Sequence, residues 1–184
     1  MPAVALTGTS AADYQDSRAR YAIASRGTIA NADSLPKLEF IFAAHVTVDP
    51  GLDLGDVAKG HRRIVPITGG EFAGPQLGGK VLSGGADRQI LRSDGVAELE
   101  ARYTLRTDDG ALIYVRNHAL RHGPADVIAA LTAGRPVDPA SYYFRGATFF
   151  ETGAVRYAWI TRHIVVCTGE RESAGVKLKF YKML

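Results

Sequence analysis

The sequence predicts an all-β protein with minor helical content, built as a single antiparallel β-barrel of eight to nine strands with one short internal helix. Three observations carry this prediction: long runs in which apolar and polar residues alternate, Asp-Gly pairs between such runs, and no regular alternation of strands with helices. The last observation favours an antiparallel barrel over a parallel sheet.

The clearest of these runs lie between Asp87 and Asn117, which read DRQILRSDGVAELEARYTLRTDDGALIYVRN. Asp94-Gly95 and Asp109-Gly110 separate three alternating segments. Asp-Gly between alternating segments indicates a β-hairpin, because glycine accepts the positive φ that a tight primed turn requires. We therefore expect three consecutive antiparallel strands joined by such turns.

The central segment has one apolar and one charged face, because successive side chains of a strand point to opposite sides. The apolar face consists of Ala97, Leu99, Ala101, Tyr103 and Leu105. The other face consists of Glu98, Glu100, Arg102, Thr104 and Arg106. Two arrangements are open. Either the apolar face packs inward and the charges meet water, or the charged face lines a polar cavity that holds one small ligand.

Length and composition indicate one globular domain. The chain has 184 residues, 46% of them hydrophobic, and a net charge of +3 that is interspersed along the sequence. Nucleic-acid binding is not expected, because it needs a clustered basic stripe. No apolar run reaches the length of a membrane span, and the start of the chain lacks the features of a secretory signal, so we expect a cytoplasmic protein. Cys167 is the single cysteine.

The order of elements follows from periodicity and turn residues. Residues 1–35 form an N-terminal extension, with a helix predicted from Ser10 to about Ala24, and residues 36–184 form the barrel domain. The glycine-rich segment 69–86 matches no phosphate-binding motif and indicates tight turns and bulges. Strands are predicted at 37–48, 61–68, 87–93, 96–106, 111–117, 142–151, 157–168 and 175–181. A helix is predicted from Gly123-Pro124 to Gly134.

Three segments resemble a bacterial and fungal family of small uncharacterised proteins that contain a domain of unknown function. They are FAGPQLGGKVLSGGAD, ARYTLRTDDGALIYVRN and GRPVDPASYYFRGATFFETGAVRYAWITR, and the resemblance covers roughly residues 35–183. It implies a calycin-like β-barrel that assembles as a homo-oligomer, with no settled activity, cofactor or catalytic residue. This chain has Arg88 where that pattern usually has an aromatic residue, and Thr161 where asparagine is usual.

Neighbouring predicted strands also bring acidic, basic and aromatic residues together. Asp87, Glu100 and Arg102 are the predicted catalytic residues. A carboxylate desolvated inside a barrel gains a pKa suited to proton transfer, and an arginine beside it stabilises a developing anion. The predicted substrate-binding residues are Tyr114, Asn117, Tyr143, Arg145, Glu151, Tyr157 and Trp159. The alternative is that these residues form surface ion pairs and a core tryptophan.

Neither a metal nor a nucleotide cofactor is expected, because the five histidines lack metal-ligand spacing and no dinucleotide-binding unit is present. Three hypotheses therefore remain open. The first is a cofactor-independent acid–base enzyme, of isomerase, cyclase or lyase type, acting on a small carbonyl or aromatic compound in the lumen. The second is a non-catalytic barrel that binds or carries a small ligand. The third is an oligomeric scaffold whose lumen is filled by side chains.

Overall fold

Ten β-strands account for most of residues 36–172 and 175–184, which a computed structural model of the protein describes. The strands are β1 (Leu38–Val48), β2 (Leu52–Val57), β3 (Gly60–Ala73), β4 (Gly78–Val81), β5 (Gly85–Leu91), β6 (Ala97–Thr107), β7 (Leu112–His122), β8 (Tyr143–Glu151), β9 (Val165–Arg171) and β10 (Gly175–Met183). The helix α1 spans Ala125–Thr132, and two 3-10 helices span Pro139–Ser141 and Val155–Arg162.

The sheet closes on itself, which confirms the predicted antiparallel barrel. All strand pairings are antiparallel, and β1 pairs with β10 on one side and with β3 on the other. Eight strands form the closed barrel, while β2 and the short β4 add to it along β3 and β6. Closure leaves a lumen into which alternate side chains of every barrel strand point.

The two Asp-Gly hairpins form as predicted, but their turns are of another type. Gly110 N donates to Thr107 O and Thr107 N donates to Ala111 O, both at 2.9 Å. The φ of Gly110 is +87°, whereas no described residue other than glycine has a positive φ. This is a type I turn followed by a left-handed glycine, so the expected primed turns were wrong. The turn that ends at Gly95 has the same hydrogen-bond pattern.

The apolar face of β6 points into the barrel, so the first of the two arrangements left open is confirmed. Leu99, Tyr103 and Leu105 are buried, whereas Glu98, Arg102 and Arg106 are exposed. Cross-strand neighbours share a face, so each inward residue of β6 faces an inward residue of β7, as Tyr103 faces Val115. Burial of apolar surface therefore fixes the register of both strands.

Aromatic rings fill one end of the lumen. The ring of Phe42 lies 4.4 Å from Phe180, 5.3 Å from Phe72 and 6.1 Å from Phe150, centroid to centroid. Edge-to-face and offset contacts of this kind add to the stabilisation that burial provides. The same end is covered by Tyr157, whose hydroxyl donates to Asp109 Oδ2 at 3.1 Å. This end of the barrel is therefore closed.

Two predicted elements were wrong. The strand expected over 157–168 is a 3-10 helix to Arg162 followed by β9, because Tyr157 and Ile160, three residues apart, are buried on one face of that helix. The loop expected between Pro50 and Gly60 contains β2, which pairs with β3. The helix predicted near Ser10 lies outside the described residues.

The glycine-rich segment forms bulged strands and turns, as predicted. Gly70 has a φ of +133°, and a Cβ there would lie 2.0 Å from His45 O. Only glycine permits β1 and β3 to approach this closely where the barrel closes.

Replacing Phe42 by alanine is expected to lower the free energy of unfolding by about 3–5 kcal/mol, because it leaves a cavity among three other phenylalanines. Phe149→Ala is the matched control, since Phe149 lies on the outer face of β8 and is 43% exposed. Urea unfolding at constant pH measures both variants. Equal losses in the two variants would contradict the inward packing of Phe42.

Candidate active site

The polar half of the lumen is built around Asp87. Asp87 lies on β5 opposite Val65 of β3 and Ala101 of β6, and its side chain lines the lumen. The residue as a whole is only half-buried, yet its Oδ1 atom has no contact with solvent and no hydrogen-bond partner among the described residues. Because buried polar atoms are normally hydrogen-bonded, such an atom is typical of a functional site.

A chain of hydrogen bonds connects Asp87 to Arg63, which lies at the open end of the lumen. This end, lined by Arg63, Arg121 and Arg171, is called the mouth. Gln89 Nε2 donates to Asp87 Oδ2 at 2.6 Å, and Arg63 Nη2 donates to Gln89 Oε1, also at 2.6 Å. Alternation places Asp87 and Gln89 on the same face of β5, and the strand register places Arg63 opposite Gln89. The amide of Gln89 therefore has a fixed orientation, which in turn fixes the carboxyl of Asp87.

Burial raises the pKa of Asp87 above its ordinary value, because the lumen solvates the carboxylate poorly. The hydrogen bond from Gln89 and the charges of Arg121 and Arg63 act in the opposite direction and are outweighed. A raised pKa means that the carboxyl keeps its proton to a higher pH than an exposed aspartate does, which is the direction of change that general acids need. Asp87 can therefore donate a proton as well as accept one.

Two further arginines reach the mouth from other strands. Arg121 extends the inward face of β7, and Arg171 ends β9. Together with Arg63 they line a cavity of about 400 Å³, whose wall also includes Leu131 of α1 and Asp53 of β2. Burial lowers the pKa of Arg121 and of Arg171, and the charge of Arg63 lowers both further. Arginine nevertheless remains protonated in proteins.

The interior behind the mouth is small. A second cavity of about 50 Å³ shares Gln89, Arg121 and Arg171 with the mouth cavity as walls, and it reaches Asp87 and Tyr103. The hydroxyl of Tyr103 is buried without a partner among the described residues. The space accommodates a substituent or a water molecule next to Asp87, whereas a larger ligand does not fit in it and would have to occupy the mouth cavity.

Asn117 lies deeper, on the inward face of β7. Its Oδ1 accepts a hydrogen bond from Thr148 Oγ1 at 3.0 Å and one from Cys167 Sγ at 3.4 Å. Burial raises the pKa of Cys167, so its thiol is protonated and weakly nucleophilic. Two buried donors therefore satisfy the Oδ1 atom of Asn117 and hold its amide in one orientation.

The structure separates most of the predicted site residues. Of the ten, only Asp87 and Asn117 line the lumen. Glu100 and Arg102 lie on the outer face of β6, where Arg102 Nε donates to Glu100 Oε1 at 2.9 Å and the Arg102 side chain is 46% exposed. The hypothesis that they face a cavity together with Asp87 was therefore wrong. The apolar alternate residues occupy the interior because their burial is favourable.

The remaining predicted residues lie on the outer face or at the closed end. Tyr114, Tyr143, Arg145 and Glu151 alternate with inward residues of β7 and β8. Tyr157 caps the aromatic end of the barrel, and the ring of Trp159 lies 5.5 Å from Lys182 Nζ. These residues do not lie with Asp87 in one site. Tyr143 and Arg145 instead line, together with Glu100, a separate cavity of about 860 Å³, and their role in substrate binding stays a prediction.

Sequence reasoning missed the residues that surround Asp87. They are Arg63, Gln89, Tyr103, Arg121 and Arg171. Arg121 had a detectable signal, because it continues the alternation of Ile113, Val115, Asn117 and Ala119. Gln89 likewise lies two residues after Asp87 on the same strand. Arg63 and Arg171 lie at strand ends, and only the closed topology reveals that they converge.

The comparisons with known proteins place the chain in a family. Residues 36–183 match the family described as protein of unknown function (DUF3237), and the chain belongs to that family. A UPF0311 protein of Clostridium acetobutylicum is 45% identical over 146 residues, which cover 79% of this chain and 92% of that protein. The family membership confirms the resemblance that the sequence motifs indicated.

Solved structures of relatives have the same fold. A conserved protein of unknown function from Rhodopseudomonas palustris is 37% identical, with a TM-score of 0.78 over 82% of this chain and 99% of that one. A protein from Acinetobacter baumannii described as beta-barrel like is 39% identical, with a TM-score of 0.72 over 82% of this chain and 97% of that one.

One fungal relative is an enzyme. The hydroalkoxylation enzyme phnH of Penicillium herquei is 32% identical over 106 residues, which cover 58% of this chain and 68% of the enzyme.

Two further features of the described residues bear on function. No helix among them has the length and apolar character that a membrane crossing requires. Within the same part of the chain, His, Cys, Asp and Glu side chains do not gather in groups of three or more that would hold a metal ion.

Replacing Asp87 by asparagine is expected to stabilise the protein relative to wild type as the pH rises. Because the pKa of Asp87 is raised in the folded state, the protonated carboxyl favours folding. This contribution to the free energy of unfolding is fully present below the unfolded pKa, near 3.8. It is lost as the pH rises through the folded pKa, and the asparagine variant undergoes no such loss. Each unit of pKa shift corresponds to about 1.4 kcal/mol. Thermal unfolding at several pH values between 3 and 8 measures the difference.

Asp94→Asn is the matched control with the opposite sign. The hydrogen bond from Val96 N and the contact with Arg92 lower the pKa of Asp94. Its contribution is present above the unfolded pKa and is lost as the pH falls through the folded pKa, so the variant is less stable than wild type at neutral pH and similar at low pH. If the Asp87 variant followed this same trend, the raised pKa of Asp87 would be contradicted.

Proposed function

We propose that the protein is a cofactor-independent acid–base enzyme of isomerase, cyclase or lyase type. Its substrate is a small carbonyl or aromatic compound that occupies the mouth cavity and extends a reacting carbon toward Asp87. The observation that carries the proposal is the buried Oδ1 of Asp87, which has no partner among the described residues and belongs to a carboxyl with a raised pKa. Carboxyls with this environment serve as general acids and bases.

The fungal relative supports proton-transfer chemistry. Hydroalkoxylation adds an O–H bond across a carbon–carbon double bond without any oxidant or reductant. In such a reaction, protonated Asp87 would donate its proton to one alkene carbon, and the substrate oxygen would form the new C–O bond at the other. The proton released from that oxygen would return to the Asp87 carboxylate, so the carboxyl is restored after each turnover.

The residues around Asp87 have complementary roles in this proposal. Gln89 holds the carboxyl in one orientation through its hydrogen bond from Nε2. The unpartnered hydroxyl of Tyr103 provides a second polar contact for the reacting group. Positioning of this kind lowers the barrier, because the reacting atoms are already aligned when the substrate binds.

A non-catalytic carrier is the second candidate, and the lumen wall favours it. The small inner cavity is lined largely by apolar side chains, including Val46, Ile67, Leu99 and Leu178. A carrier needs shape and apolar surface but no tuned carboxyl. The third hypothesis, a filled scaffold, applies only to the aromatic end of the lumen, because the mouth cavity provides about 400 Å³ of space.

The proposal is tested with three probes in D₂O followed by proton NMR. They are 2-allylphenol for cyclisation, a β,γ-unsaturated ketone for isomerisation and a β-hydroxy ketone for elimination, each used both as the neutral compound and as an analogue that carries a carboxylate. Wild-type protein is expected to convert at least one probe, with deuterium at the protonated carbon where the product gains a C–H bond. Asp87→Asn is expected to reduce the rate by about 10²–10⁴-fold, because it removes the general acid–base group.

Asp108→Asn is the control, since Asp108 is an exposed aspartate in the hairpin between β6 and β7, away from the mouth. It is expected to leave the rate unchanged. A probe converted equally well by the Asp87 variant would refute the catalytic role of Asp87. Binding of all three probes with quantitative recovery of unchanged compound would favour the carrier.

A further inference from the structure

Three guanidinium groups converge on the mouth cavity from separate strands. Arg63 comes from β3, Arg121 from β7 and Arg171 from β9, and each residue is half-buried. All three line the same cavity of about 400 Å³. Three cations gathered at one end of a barrel repel one another, so an arrangement of this kind is costly unless an anion occupies it.

The described protein groups do not neutralise this charge. None of the three arginines forms an ion pair with another described residue. Arg63 donates one hydrogen bond to the neutral amide of Gln89. The Nε atoms of Arg63 and Arg121 are buried and have no hydrogen-bond partner in the described part of the chain. Donors that are desolvated and unpaired favour binding of a charged acceptor.

The carboxyls of Asp87, Asp53 and Asp49 lie near the arginines, but none of them forms an ion pair with an arginine of the group, and the first two are accounted for in other ways. Asp87 lies deeper in the lumen, and its burial favours the uncharged form. Asp53 lies at the rim of the cavity, where its Oδ1 accepts from His61 Nε2 at 2.8 Å and from Gly55 N at 2.8 Å. The negative charge of Asp53 is therefore engaged mainly by Gly55 and His61, and Arg63 is the weakest of the groups that act on it.

We propose that Arg63, Arg121 and Arg171 bind a carboxylate group of the substrate, so that the substrate is a small carbonyl or aromatic carboxylic acid. This inference deepens the proposed function and rests on it for the identity of the bound molecule as a substrate. Guanidinium groups match the planar, two-oxygen geometry of a carboxylate. Asp49 and Asp53 line the same cavity and disfavour a doubly charged phosphate.

This arrangement also explains how the substrate is oriented. The carboxylate anchored at the arginines leaves the opposite end of the molecule directed into the narrow cavity of about 50 Å³ that reaches Asp87. An anchor outside the reacting centre supplies binding energy and alignment together. A neutral analogue of the same shape lacks the anchor and leaves the arginine donors unpaired.

The test measures binding of benzoate, phenylacetate and 4-hydroxybenzoate by isothermal titration calorimetry, each against its neutral carboxamide, with inorganic phosphate as the competing anion. At least one carboxylate is expected to bind at least tenfold more tightly than its carboxamide and more tightly than phosphate. Arg121→Gln and Arg171→Gln are each expected to weaken that binding by about tenfold or more. Arg106→Gln, an exposed arginine of β6, is the control and should not change it.

Circular dichroism and thermal unfolding establish that each variant is folded before its binding is measured. If a variant does not fold, Arg121→Lys or Arg171→Lys replaces it, since lysine keeps the charge but removes the planar fork, and a weaker loss of carboxylate binding is expected. Equal binding of acids and amides, no binding of any acid, or carboxylate binding that the arginine substitutions leave intact would overturn the inference. Tighter binding of phosphate than of every carboxylate would overturn it as well.

Asp87→Asn separates this inference from the proposed function. The variant is expected to retain carboxylate binding while losing turnover, because Asp87 is placed at the reacting end and not at the anchor. Retained binding with unchanged turnover would contradict the proposed function alone. Turnover that depends on Asp87 without any preference for acids over amides would contradict the carboxylate anchor alone.

Discussion

Closure of the sheet between β1 and β3 is the constraint on which the rest of the structure depends. Once the barrel is closed, alternate residues of each strand lose contact with water, and a polar group at such a position must find a partner or change its ionisation. Most inward positions are apolar. Asp87 is the exception with the largest consequence, because it places a carboxyl in a lumen where charge is poorly solvated. The hydrogen bond from Gln89 and the nearby arginines reduce this cost without removing it.

The two ends of the lumen differ in packing and in polarity. The end around Phe42 and Phe180 is packed with aromatic rings and covered by Tyr157, so it stabilises the closed barrel. The other end contains unpaired buried atoms and three converging cations, which lower stability. Protein sites that bind and react commonly carry such a cost, which the remainder of the fold offsets. The well-packed end therefore offsets the cost of the polar mouth.

The hairpins and the barrel class were predictable because their signals are local. An Asp-Gly pair between alternating segments indicates a hairpin whatever the rest of the chain does, as at Gly110, although it did not determine the type of turn. The 3-10 helix around Tyr157 was missed because it is short. Over so few residues, burial of every third residue, as at Tyr157 and Ile160, is hard to distinguish from the alternating pattern of a strand. The strand β2 was missed because residues 52–57 combine Asp, Gly and leucine in a pattern that is also typical of loops.

The candidate site was predicted only in part, because its composition depends on which face of β6 is inside. Glu100 and Arg102 form a plausible catalytic pair in the sequence, yet they lie outside the barrel. Asp87 was predicted as a site residue because it begins the stretch of alternating strands over 87–117. Arg63 and Arg171 are more than 100 residues apart in the chain, and local periodicity carries no information about their convergence. Arg63 and Arg171 reach one cavity because the sheet is closed into a barrel, and the amino-acid composition of their strands does not reveal this.

The ionisation of Asp87 is the central physical claim, and carbon-13 NMR of aspartate carboxyl groups tests it most directly. The protein is labelled at aspartate Cγ and titrated from pH 3 to pH 9, with Asp87→Asn used to assign the resonance. We predict that the Asp87 resonance titrates with an apparent pKa above the ordinary value of 3.8. An Asp87 resonance that titrates at or below that value would contradict the account.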